Sequence, residues 1–365
     1  MGQRLHSLFC GADMTPHSGE RISDAFQKIA GLREALGCYI LGQPDLLTET
    51  ICCMLASGHL LMTGAPGVAK TTLVRVLGKH LQLPFRRVQC TPDLLPSDII
   101  GSEILNLDPV TQQRFFAFKP GPIFTNLLLV DEINRASPRT QSALLEAMQE
   151  QGVTVSGQRY AVERPFMVFA TQNPLESEGT FPLPEAQLDR FLLHSWVNYP
   201  GEADQLSILK QYAARTLVGD KIEELEVLHP LSAEDLMDLQ HATTQIPVSD
   251  SILQGINEIV VATRPDHPYC PPEVKDLLQF GAGPRAALAL LAVSQALALM
   301  EGQPGVTWGH VKRMVKPVLR HRVRLNIRAS KGNWNVDGVI EAILDHIETR
   351  YEMASFGLSQ PYGRT

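Results

Sequence analysis

The stretch 59-HLLMTGAPGVAKTTLVRVLGKHL-81 decides the fold. It opens with a short apolar run, passes through small residues, and continues as a segment of helical periodicity. Strand, tight loop, helix is the context in which G-x-x-x-x-G-K-[ST] binds phosphate. The loop 64-GAPGVAKT-71 meets that pattern at Gly64, Lys70 and Thr71 and departs from it at Ala69, where a glycine is usual. Alanine is tolerated there if its φ is negative, because only a positive φ penalises a Cβ. A negative φ at Ala69 is therefore expected.

Two further runs repeat the arrangement. The segment 126-NLLLVDEI-133 is an apolar strand ending in two acids, and 166-FMVFATQN-173 is another ending in polar residues. Between them, 138-PRTQSALLEAMQE-150 has helical spacing with Pro138 suited to a first turn. Strands alternating with helices predict an α/β fold, a parallel sheet with helices on both faces. Ligands of such sheets sit beyond the carboxyl ends of the strands, where these polar groups fall. Two segments read as β-hairpins: 102-SEILNLDPVTQQRFFAF-118, turning at Asp108-Pro109, and 152-GVTVSGQRYAV-162, turning at Ser156-Gly157. Helical spacing also covers about 20–36 and 45–56. From about Gly201 strand patterns fade, and helical ones cover 231–241, 250–262, 284–300, 307–320 and 336–350. The expected organisation is a flexible tail over 1–19, an α/β core over 20–215, an all-helical domain over 216–355 and a flexible tail over 356–365.

Composition narrows the function classes. Of the 365 residues, 44% are hydrophobic and 19% charged, which describes a globular, soluble chain. A formal net charge of −7 argues against bulk electrostatic binding to nucleic acid or acidic membrane. The apolar run 286-AALALLAVSQALALM-300 is too short to span a bilayer and reads as a buried helix. No long apolar run follows a basic start, so no secretory signal is expected. The six cysteines form no C-x-x-C pair and support neither a zinc site nor a disulfide framework. Reduced thiols in the cytoplasm follow.

The motifs then assign chemistry. The loop Gly64, Ala65, Pro66, Gly67, Val68 and Ala69, at a helix N-terminus, forms a concavity for phosphate oxygens, lined by the backbone N–H groups of every member but Pro66. Lys70 would contact the β- and γ-phosphates of ATP, and Thr71, followed by Thr72, would place its hydroxyl on Mg²⁺. Asp131 is placed to hold Mg²⁺ through water, and Glu132 to orient and polarise the attacking water. Asn173 can hydrogen-bond both that water and the γ-phosphate; by residue type alone a turn residue before Pro174 is the better reading. Arg190, in 183-LPEAQLDRF-191, is either functional or a surface partner of Asp189. Arg285, in 281-GAGPRAAL-288, is either functional or a solvent-facing residue at a helix start.

Together these stretches resemble the AAA+ ATPases and, more narrowly, the MoxR family. The resemblance covers about residues 40–330 and is most specific in 119-KPGPIF-124, 127-LLLVDEINRASPRTQSALLEAMQE-150, 165-PFMVFATQNPLESEGTFPLPEAQLDRF-191 and 317-PVLRHRV-323. It implies a P-loop NTPase core with hairpin inserts followed by a helical lid. It makes Lys70 and Thr71 the Walker A pair, Asp131 and Glu132 the Walker B pair, Asn173 sensor 1, Arg190 an arginine finger and Arg285 sensor 2. Arg135 and Arg139 are rivals for the contact with a neighbouring subunit. The family further implies hexameric rings with ATP at subunit interfaces, chaperone-like remodelling, and partners carrying von Willebrand factor A domains. Two other readings compete. The basic run 312-KRMVKPVLRHRVR-324 would suit a nucleic-acid motor, but it lacks interleaved aromatics for base stacking. A metal-chelatase motor subunit shares the hairpin inserts, and the long match over 165–191 favours MoxR.

Overall fold

Three apolar runs, 60–62, 127–130 and 167–170, have every residue buried, as strands covered on both faces must be. A computed structural model describes residues 16–110, 112–174, 179–213, 227 and 230–355. Of the expected tails 1–19 and 356–365, residues 1–15 and 356–365 lie outside the described residues, as does the expected domain boundary at 215/216, while residues 16–19 are helical where a loose tail was expected. These fall into two compact units: everything up to Gln245 together with Leu299–Gly302, and Ile246–Ala298 together with the residues from Gln303 onward.

The first unit begins with α1 (Pro16–Gly37) and α2 (Pro44–Leu55), followed by β1 (Leu60–Gly64), α3 (Lys70–His80) and β2 (Phe85–Gln89). A short α4 (Pro96–Ile100) leads into the hairpin β3 (Gly101–Leu107) and β4 (Arg114–Pro120), then β5 (Leu127–Asp131) and α5 (Pro138–Glu150). A second hairpin, β6 (Gly152–Val155) and β7 (Gln158–Ala161), precedes β8 (Met167–Gln172), the one-turn α6 (Glu185–Leu188), β9 (Leu193–Val197), α7 (Glu202–Ala213) and α8 (Ala233–Thr244). The sheet has order β2-β5-β8-β1-β9 and every pairing in it is parallel. Both hairpins form as the sequence predicts. They touch through a stacked Phe118–Tyr160 pair with centroids 4.0 Å apart and a Ser156 Oγ–H bond to Glu103 Oε2 of 2.7 Å.

The sequence reading found β1, β5 and β8 and missed β2 and β9. In β2, Arg86, Arg87 and Gln89 are exposed because it is the edge strand, so 85-FRRVQ-89 shows no apolar run. Helix α5 follows its local chemistry: Ser137 caps it by accepting from the Thr140 N–H, Pro138 occupies the first turn, and Gln151 ends it in a left-handed conformation. Helix α8, expected in the helical domain, packs on α1 and α2 within the first unit and is tied there by Lys28–Asp235 at 2.9 Å.

The second unit contains α9 (Asp250–Ala262), α10 (Pro272–Lys275), most of α11 (Pro284–Met300), α12 (Trp308–Leu319), α13 (Ile327–Lys331) and α14 (Val336–Ser355). The three helices α9, α10 and α12 pack against α14. A two-stranded ribbon, β10 (Leu278–Phe280) with β11 (Arg324–Leu325), adds strand structure that helical spacing did not reveal. The basic run 312–324 is partly neutralised within this unit: Lys312 pairs with Glu348, Lys316 with Glu341 and Arg320 with Asp337, all carboxylates of α14. No helix among the described residues is long and apolar enough to cross a membrane. Cys38, Cys52, Cys53, Cys90 and Cys270 are free thiols.

The loop between β1 and α3 corrects the expectation for Ala69. Its φ is +65° and ψ 11°, so the residue that caps α3 is left-handed rather than extended or helical. The turn from β1 into α3 is built with this hand. Gly67 shares it at φ +79°, and a Cβ at Gly64 would strike the Val197 carbonyl. A left-handed alanine costs about 1–2 kcal/mol, whereas glycine loses about 0.4–1 kcal/mol to its freer unfolded chain. Ala69→Gly is therefore expected to raise stability by roughly 0.5–1 kcal/mol, read as a higher denaturation midpoint, with little change in nucleotide affinity. A lower midpoint would contradict the strain.

His59, at the entry to β1, supplies a pH-dependent term. Its Nδ1 accepts the Val168 N–H at 3.0 Å, and its ring meets Phe166 edge-on. Desolvation pushes its pKa down to about 4, a hydrogen bond to the Met148 backbone opposing the shift. The unfolded chain takes up the proton near pH 6.5 and the folded chain only near 4. This contribution to stability is therefore whole above pH 6.5 and lost as pH falls toward 4, by at most roughly 3 kcal/mol. His59→Gln keeps an acceptor for Val168 but does not titrate, so its urea midpoint should fall less than the native chain's between pH 7.5 and pH 4.5.

Candidate functional site

The C-terminal ends of β1, β5 and β8 place the polar groups read from the sequence around one cavity of about 400 Å³. Pro66, Gly67, Ala69, Lys70, Thr71 and Thr72 line it from the loop and α3, Asp131 and Glu132 from the end of β5, and Asn173 from the end of β8. Lys70 opens α3 and donates from Nζ to the Gly64 carbonyl at 2.6 Å and the Gln172 carbonyl at 3.3 Å. Its ammonium thus bridges the ends of β1 and β8. Desolvation lowers its pKa, while Asp131 and Glu132 act in the opposite direction.

The carboxylates are held by specific partners. Asp131 is buried; its Oδ1 accepts from Thr171 Oγ1 at 3.1 Å and its Oδ2 from Arg87 Nε at 2.6 Å, with Thr71 Oγ1 at 3.5 Å from Oδ2. Glu132 takes a left-handed conformation at φ +55° as the chain leaves the strand. Its N–H donates to Thr171 Oγ1 at 2.9 Å and its Oε2 pairs with Arg135 at 2.8 Å. Thr171 therefore donates to one acid and accepts from the backbone of the next. Asn173 is buried at the same end of the sheet.

The two hard oxygens Thr71 Oγ1 and Asp131 Oδ2, converging beside a loop of backbone donors, are the donor set that Mg²⁺ prefers. No cluster of three or more His, Cys, Asp or Glu that could hold a metal by protein ligands alone occurs among the described residues.

The remaining arginines separate. Arg135 is engaged within the chain by Glu132. Arg139 is exposed on the first turn of α5, and Arg190 follows α6, partly exposed; neither is among the described residues lining the cavity. Arg285 is exposed at the start of α11 in the second unit.

Sequence reasoning missed Thr171, Arg87 and the apolar lining from Tyr39, Leu41 and Ile208. Thr171 was within reach, since it lies on the strand that ends at Asn173. Arg87 was not, because β2 carries no apolar signature.

Comparison with known proteins follows the same lines. Residues 59–193 match the ATPase family associated with various cellular activities (AAA), and residues 273–343 match the AAA lid domain. The chain is 39% identical over 316 residues to YeaC of Bacillus subtilis (strain 168), an uncharacterized protein, covering 86% of this chain and 92% of that one. It is 37% identical over 308 residues to Chaperone MoxR1 of Mycobacterium tuberculosis, covering 84% and 78%. Protein MoxR of Methylorubrum extorquens is 29% identical over 303 residues, covering 78% and 84%. A crystal structure from Cytophaga hutchinsonii, of a protein assigned as an ATPase, superposes with a TM-score of 0.80 at 34% identity, covering 90% of this chain and 96% of that one. With the strand–loop–helix, the paired acids and the sheet order all in place, the chain belongs to the MoxR family of AAA+ ATPases.

Proposed function

We propose that this chain hydrolyses Mg-ATP in a ring of like subunits and uses the energy to remodel a partner protein. The observation that carries the proposal is the convergence of Lys70, Thr71, Asp131, Glu132 and Asn173 on one cavity. In this reading the loop N–H groups and Lys70 receive the phosphates, and Tyr39, Leu41 and Ile208 form an apolar wall suited to the adenine. Thr71 and Asp131 would hold Mg²⁺, which when bound neutralises charge on the β- and γ-phosphates. Glu132 orients the water that attacks the γ-phosphate, once its carboxylate parts from Arg135. Asn173 positions the same water and the phosphate.

The ring supplies the missing positive charge. Arg190 is not among the described residues lining its own chain's cavity, so an Arg190 that acts on phosphate acts on a neighbour's. Arg135 is less suited to that part while Glu132 holds it. Arg285 is proposed to read nucleotide state from the helical unit. A hexameric ring, a partner carrying a von Willebrand factor A domain and a cytoplasmic setting complete the reading. They rest on family membership and on the relative named Chaperone MoxR1.

Two experiments test it. Glu132→Gln should keep ATP bound while turnover falls by about 10²–10⁴-fold, since an oriented base is lost and the metal site is kept. Wild-type turnover in that variant would remove Glu132 from the mechanism. For the interface, Lys70→Ala lacks a working loop and Arg190→Ala lacks the finger, so mixed rings contain some interfaces with both intact. ATPase activity should partly return on mixing, because a finger supplied in trans contributes about 10³–10⁵ in rate. No rescue in verified mixed rings would point to Arg135 or Arg139, and a fully active monomer would end the interface mechanism.

A further inference from the structure

Arg87 enters the site from a strand that carries none of the recognised motifs. On β2 it sits two residues before Gln89, and Gln89 pairs in register with Asp131 on β5. Arg87 Nε donates to Asp131 Oδ2 at 2.6 Å, and its Nη2 to Gln89 Oε1 at 3.0 Å. The oxygen it holds is the one that faces Thr71, the other proposed metal ligand. The second oxygen, Oδ1, is occupied by Thr171, itself fixed by the Glu132 N–H. The carboxylate therefore offers Oδ2 to one strong cationic donor at a time. A metal, bound directly or through one of its waters, and a guanidinium 2.6 Å away cannot share that oxygen without bringing like charges together. Asp131 is nearly sealed, at 8% side-chain exposure, whereas Arg87 is half exposed at 50% and can swing away.

We propose that Arg87 competes with the divalent cation for Asp131: it neutralises the carboxylate in the metal-free protein and leaves Oδ2 when the metal–nucleotide complex binds. Arg87 is then a positioning residue that sets how much metal the site needs, and its release is driven by metal and not by nucleotide alone. A purely structural Arg87 would brace Asp131 in both states. This inference rests on the Mg-ATP reading above.

The test measures Mn²⁺ binding to the ADP-bound full chain by the loss of the free-ion paramagnetic signal. Arg87→Gln should lower the half-saturating Mn²⁺ concentration by about threefold to tenfold, the range for one partly exposed ion pair. Arg87→Lys, which keeps the charge, should stay closer to the native value. Gln89→Ala removes the second anchor of Arg87 and should shift the value in the same direction by less; it carries the test if Arg87→Gln does not bind ADP in EDTA. An unchanged or raised half-saturation in these variants would overturn the proposal. If the native ADP complex takes up no Mn²⁺, the Mg-ATP reading itself fails, an outcome distinct from a native complex that binds Mn²⁺ and variants that do not shift.

Discussion

Thr171 ties the ends of β5 and β8 together, and the geometry of the site depends on that tie. Its hydroxyl can donate once, and it gives that hydrogen to Asp131 while accepting the Glu132 N–H. One side chain thereby sets the direction of the first carboxylate and the point at which the backbone turns left-handed for the second. The arrangement is affordable only because β5 and β8 are already locked in parallel register from Leu127↔Met167 to Val130↔Ala170. Apolar burial holds the strands, and the register then delivers Thr171 to the acids. A slip of one residue would turn Thr171 to the other face of the sheet.

The electrostatics of the cavity follow from the same crowding. Lys70, Arg87 and Arg135 stand against Asp131 and Glu132. Each acid has an arginine from its own chain, and the lysine is held by two carbonyls at strand ends. Asp131 is nearly sealed from water, so a partner of opposite charge is needed to offset its desolvation. Charges brought by a ligand would enter a site where each acid already has an arginine and Lys70 is held only by neutral carbonyls. In the proposed reading binding exchanges partners, and the arginines, at 50% and 38% side-chain exposure, have the room to move that Asp131, at 8%, lacks.

The same segment links the site to the surface. After Glu132 the chain makes one 3-10 turn over Ile133–Arg135 and enters α5. Gln141 Nε2 on that helix shares its two hydrogens among the carbonyls of Ile133, Ala136 and Phe181, stitching the turn to the segment that follows β8. Beyond α5 lies the hairpin β6–β7, whose Tyr160 stacks on Phe118 of the other hairpin. That hairpin, β3–β4, exposes Leu105, Leu107, Val110, Phe115 and Phe116. Contiguous packing thus runs from Asp131 and Glu132 to exposed apolar side chains, the kind of surface that engages other proteins.

Much of this was legible in the chain itself. Buried parallel strands must be continuously apolar, so β1, β5 and β8 announced themselves, and the polar residues that end them marked the site. Helices such as 138–150 and 250–262 were bounded by their own caps and spacing, which are local properties. The tertiary structure alone decided the rest. Edge strand β2 buries too little to need an apolar run, so Arg87 could not be placed in the site from sequence, and its bond to Asp131 joins residues 44 apart. The left-handed Ala69 is a second case: residue type disfavours that conformation, and the turn into α3 imposes it. Local periodicity reports which face of an element is dry. Which side chains meet at the end of a sheet depends on strand order and register, and these are set by packing among segments distant in the chain.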